Sequence, residues 1–196
     1  MAIETVAALL AATAVQAHRN QSIKKASDAW SLYAGERGLK FHPGRLGWAH
    51  RQWPRVEGTP DVSVAIDVAI HPSHPDYSTA FVAIPAKPWP GNVSITREGL
   101  ISKFATLLGA QDLVLGDDAF DRAYVVKAAD ASAVREILGA GARREMLDLG
   151  VERLAYDDGS EDGHTPMLVV EIGGVVESFE TLDRALSLVR AIATRR

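Results

Sequence analysis

Between Gly116 and Gly150 the residue order leaves little freedom about local structure. Gly116, Asp117 and Asp118 are turn formers, glycine for positive φ and aspartate for side-chain bonds to nearby amides. From Phe120 onward, Phe120, Arg122, Tyr124 and Val126 alternate with Asp121, Ala123, Val125 and Lys127, which predicts a strand over residues 120–127. Asp130 stands where a helix N-cap belongs. Val134, Ile137, Leu138, Ala142, Met146 and Leu149 then recur at helical spacing and make one apolar stripe. Gly139 and Gly141 interrupt that stripe, each costing about 1 kcal/mol against alanine, so two short helices or one kinked helix are expected. Gly150 is placed to stop the last turn in the left-handed conformation. Turn, strand, turn and helix agree with one another, and none of them carries chemistry.

The flanking sequence extends the same pattern. Helical spacing through Ile23, Ala26, Trp30 and Tyr33 predicts a helix that docks two aromatics on a sheet and ends at Gly35 or Gly38. Short strands are expected around Leu39–Phe41 and Val56–Glu57, followed by longer ones over residues 62–69, 79–84 and 93–96. A short helix is expected from Leu100 to Leu107, and strands over residues 151–156 and 167–172. A final helix, capped by Ser178 or Thr181, carries the stripe Leu182, Ala185, Leu186, Val189 and Ile192. The fold expected is α+β: an antiparallel sheet with packed helices, an N-terminal Ala-rich helix and a C-terminal amphipathic helix. Residues 1–22 read as a helical extension and residues 23–196 as a single α+β domain.

Within that frame, Gly-Asp-x-x-Phe-Asp (Gly116 to Asp121), followed by an aromatic-Val-Val strand and a helix, resembles a motif of uncharacterised bacterial proteins, many of them membrane-anchored. The phrase Ala-Trp-x-x-Tyr-Ala-x-x-x-Gly-Leu, Ala29 to Leu39, is similar to their opening. The resemblance covers about Trp30 to Ile192. It implies the fold rather than an activity, since the family has no settled one. This sequence departs from the anchored members in lacking a credible transmembrane helix. The apolar run from Val6 to Ala17 is about a dozen residues where a span needs ~20. A signal peptide would need a basic start, and Glu4 is the only charge before Arg19. Cytoplasmic placement is therefore expected, with peripheral association with a membrane complex, or an exported form, as alternatives.

Composition removes several classes of function. The chain has no cysteine, hence no thiolate metal site and no cysteine nucleophile. Its formal charge of −4 argues against nucleic acid. Serine-nucleophile motifs and glycine-rich phosphate loops do not occur, and no cofactor is expected. His71, His74 and Asp76 are the one close set of metal-ligand residue types, weak candidates for zinc or iron against the alternative of an ordinary Pro-stiffened loop. The carboxylates Asp117, Asp118 and Asp121, and those of Asp157, Asp158, Glu161 and Asp162, do not match a calcium loop and read as turns. Ile3, Val6 and Leu10, continued by Ala14 and Ala17, share one face of the N-terminal helix and form a ready contact surface. Trp48 and Trp53, in an irregular segment, either close the core or form an exposed patch. The function expected is a non-enzymatic structural or protein–protein interaction module, such as a subunit of a larger assembly, with a protein partner or self-association through the N-terminal helix. Small-ligand binding and metal-dependent catalysis at the His71/His74/Asp76 loop are the alternatives.

Overall fold

The computed structural model describes residues 21, 24–43, 55–57, 64–70, 77–100, 112–128, 130–160 and 163–195. Residues 24–37 form helix α1. Two short strands follow, β1 (Lys40–His42) and β2 (Arg55–Glu57), then the long hairpin of β3 (Val64–Ile70) and β4 (Tyr77–Ala83). Next come β5 (Val93–Arg97), β6 (Asp112–Leu113), helix α2 (Asp118–Ala123), β7 (Tyr124–Ala128) and helices α3 (Ala131–Ile137) and α4 (Ala140–Leu149). The chain ends with β8 (Val151–Asp157), β9 (Met167–Gly173) and helix α5 (Phe179–Ala193). The protein is α+β, with the strands in one sheet of order β1-β2-β3-β4-β9-β8-β5-β7-β6 and every neighbouring pair antiparallel.

Period-two alternation gives this sheet one apolar face. Phe81, Ile95, Val126, Leu154, Tyr156, Leu168 and Val170 are buried on it, in register across five strands. The helices cover that face. From α5 come Leu182, Ala185, Leu186, Val189 and Ile192, the stripe read from the sequence, together with Leu188 and Ala193. Burying a leucine or isoleucine completely contributes about 1.5–3 kcal/mol, so this helix is a principal clamp on the sheet. Ser178 caps it, accepting from the Thr181 amide. From α1, Trp30 donates its indole N–H to the Val176 carbonyl at 2.8 Å, and Tyr33 meets Phe179 edge to face. The helix therefore anchors on the chain entering α5 as well as on the shared core.

One expectation is corrected. Residues 120–127 are not a single strand: residues 118–123 form α2, and the strand begins at Tyr124. Two aspartates decide it. The Asp117 carboxylate accepts from the Phe120 amide, and that of Asp121 accepts from the amides of Leu115, Gly116 and Asp117 at 2.9–3.0 Å. Such local bonds offer the backbone a turn of helix in place of a ladder. Phe120 is then buried and stacks on Tyr124 at 4.7 Å. The stripe behind it resolves into two helices separated at Leu138 and Gly139, with Gly150 at φ 64° closing α4. Asp130 caps α3 through the Ser132 amide. The helix expected from Leu100 falls almost wholly on residues 101–111, outside the described residues, as does most of the extension over residues 1–22.

Candidate functional site

The sheet face turned away from the core carries a row of polar groups that register places side by side. Antiparallel pairing aligns Ala80, Glu171, Arg153, Thr96 and Val125 across β4, β9, β8, β5 and β7. Within that row Arg153 Nη1 lies 2.9 Å from Glu171 Oε1, an ion pair in which Glu171 is only 3% exposed. Thr96 beside it is buried too. A charge taken this far out of water is tolerated only with a close partner. A β-bulge between Val151 and Arg153 inserts Glu152 as an extra residue and re-aims it. The Glu152 carboxylate crosses the next row and accepts from the buried Ser78 hydroxyl at 3.2 Å. It occupies the place where a Cβ on Gly173 would stand, which is why a side chain at 173 would displace it. Two carboxylates, a guanidinium and two hydroxyls thus share one face. Charge-assisted hydrogen bonds tie Arg153 to Glu171 and Ser78 to Glu152. The sequence marks them faintly: Glu171 is the one acid in the apolar run Met167–Ile172, and Arg153 is a charge in the strand opposite.

Elsewhere, charged groups tie elements together. Asp183 of α5 accepts from Tyr33 at 2.7 Å and from both Arg37 Nε and Arg37 Nη2, fastening the C-terminal half of α1. The Arg37 guanidinium, followed by the Tyr33 hydroxyl, holds the Asp183 carboxyl below the usual aspartate range. Burial, with Asp183 adding, pushes the Tyr33 phenol well up. Arg143 reaches from α4 to Asp117 at 3.0 Å and depresses its pKa, so the loop before α2 is fixed to α4. Burial raises the Tyr124 phenol to about 12, and its one hydroxyl proton is shared between the carbonyls of Val151 at 2.8 Å and Met146 at 3.0 Å around the Gly150 turn. Between α4 and α5 lies an open groove of about 570 Å³, floored by Gly141, Ser187, Leu188 and Ala191 and flanked by the Glu145–Arg184 pair at 2.7 Å.

The residues singled out from the sequence fall elsewhere. His71, His74 and Asp76, the contact stripe Ile3, Val6 and Leu10, and the pair Trp48 and Trp53 all lie outside the described residues. Asp117 and Asp121 are the amide-binding groups described above. Asp157 and Asp158 accept from the Gly159 and Ser160 amides in the turn after β8, as the reading of that stretch as a turn requires. Among the described residues no group of three or more histidine, aspartate or glutamate side chains is placed to hold a metal ion. Among them, too, no helix is long and apolar enough to cross a membrane.

No family model and no curated protein matches the chain. A solved structure, that of the mycobacterial trehalose monomycolate transport factor A, TtfA, is similar over 87% of this chain and 96% of its own, with a TM-score of 0.49 and 12% identity. Overlap and identity at this level transfer no property from one protein to the other.

Proposed function

We propose that the chain is a non-enzymatic interaction module, a subunit of a larger assembly, that engages a protein partner or a second copy through the Ile3, Val6 and Leu10 face, with Trp48 and Trp53 contributing. The observation supporting this reading is how the ionic groups of the described body are used. Asp121 closes a turn, Asp117 joins α2 to α4, Asp183 joins α1 to α5, and Glu145 joins α4 to α5. These contacts build and brace a scaffold. An apolar stripe on the sequence leading into it then has partner contact as its natural use. We further propose that this module works in the cytoplasm. Light scattering on the full chain beside a version lacking residues 1–20 tests the reading. A defined oligomer from the full chain and a folded monomer from the truncation are expected. Equal masses, each that of a monomer, would overturn self-association, and failure of the full chain alone to retain a protein partner would overturn the rest.

A second reading, small-ligand binding, is favoured by the Ser78, Glu152, Arg153 and Glu171 constellation on the sheet. Native mass spectrometry of the purified chain is expected to show an added small-molecule mass that Arg153→Met removes. Bare protein alone would end it.

A further inference from the structure

The strand at one end of the sheet is β1, which has β2 on one side and, among the described residues, no strand on the other. In the β1–β2 ribbon Phe41 faces Val56, which is buried in the core. Lys40, His42, Arg55 and Glu57 alternate with them and share the opposite face. Three basic side chains converge there on one acid: His42 Nε2 lies 3.0 Å from Glu57, Arg55 Nη1 3.8 Å and Lys40 Nζ 4.0 Å. The one carboxylate does not neutralise both Lys40 and Arg55, and Lys40 remains 72% exposed. The surrounding sequence repeats the bias. From Leu39 to Val56 the chain carries Lys40, Arg45, Arg51 and Arg55 and no acidic residue, in a protein whose formal charge is −4.

We propose that the outer edge of β1 is a docking site for an acidic, extended segment of a partner protein, which adds as a strand beside Lys40–His42 and sets its carboxylates against Lys40 and Arg55. An edge strand offers main-chain donors and acceptors that only another polypeptide chain satisfies in ladder geometry. Lipid headgroups or nucleic acid would meet the charges and leave those groups without a ladder. A second copy in edge-to-edge pairing would bring two Lys40-bearing faces together, and like charges across strands repel. The basic face thus disfavours self-pairing and admits an acidic strand, attraction and exclusion coming from the same residues. This inference rests on the reading of the chain as an interaction module, and it involves residues other than Ile3, Val6 and Leu10.

The test is fluorescence anisotropy of the full chain at low salt with three end-blocked peptides: alternating Glu and Val, the same with Gln for Glu, and the Glu–Val peptide N-methylated at alternate residues. The acidic peptide is expected to bind about tenfold tighter than the other two, and to weaken as salt screens the charges. Lys40→Glu combined with Arg55→Glu should cost at least about tenfold, and Glu57→Gln should tighten binding several-fold. Equal binding of the acidic and Gln peptides overturns the proposal. So does unimpaired binding of the N-methylated one, because charge alone would then suffice. Should the double charge reversal unfold, Glu57→Gln decides alone, and its failure to tighten binding overturns the idea. Capture by phosphatidylglycerol vesicles, lost on charge reversal and unaccompanied by peptide binding, assigns the face to a membrane instead. If removing residues 1–20 leaves the native mass unchanged while the peptide binds, the N-terminal contact fails and this one stands; the converse result separates them the other way.

Discussion

At the scale of single residues, Asp121 gathers the amides of the loop before α2. Its two carboxylate oxygens accept from three consecutive amides, an arrangement no neutral side chain reproduces. Hydrogen bonds to a charged group contribute about 1.5–3 kcal/mol each, and the three here share one carboxylate and are partly exposed. Asp121→Ala is therefore expected to lower the unfolding free energy by about 2–3 kcal/mol. Urea denaturation followed by circular dichroism measures it, and a change within ~0.5 kcal/mol would mean that water replaces the carboxylate without loss. Gly173 shows the opposite kind of constraint, since what matters there is the missing atom. The Glu152 carboxylate uses that space to reach Ser78, so the glycine and the bulge at Glu152 depend on each other.

At the scale of elements, the contact of α1 with α5 sets a pH dependence. Asp183 has a depressed pKa in the folded protein, so the stability it contributes is fully present above the ordinary aspartate range and is lost as pH falls through the folded value. Asp183→Asn should thus be less stable than the parent at pH 7, with the gap closing as the pH drops below about 4. Thermal melts across that range check the sign, and a gap that widens on acidification would refute it. Much at this scale was legible beforehand. Ser178, Asp130 and Gly150 announce helix ends by side-chain chemistry that acts within a few residues, and the α5 stripe repeats with the period of the helix it forms. What escaped was decided by competition or by distance. Phe120 and Arg122 fit a strand pattern, yet two nearby carboxylates out-compete the ladder and wind the chain into α2. Arg153 and Glu171 become neighbours only through pairing of β8 with β9, so a charge in an apolar strand looks anomalous until its partner is in place. Strand β6 is two residues long, too short to produce a period.

At the scale of the whole molecule, the sheet is two sub-sheets joined by a late hairpin. β1 to β4 form a meander, β5 pairs with β7 and β7 with β6, and only β9 and β8 connect β4 to β5. The last helix then packs on β3, β4 and β9. A chain cut after Gly163 would lack β9 and α5, leaving β4 and β8 without their shared neighbour. It should show no cooperative melting transition, while the full chain melts in one step. A sharp transition in the cut chain would reveal an autonomous sub-sheet.

That strand order also fixes a timetable. A ribosome emits about 5–20 residues per second, and β4 and β5 leave it well before the strands that separate them in the finished sheet. Throughout that interval the flanks of both strands are open to each other and to neighbouring nascent chains. The native neighbour of β4 does not exist until Met167 and the residues after it have been made. Long-range pairing of this kind slows folding, and here it leaves one flank of β4 and one of β5 unpaired until the closing hairpin arrives.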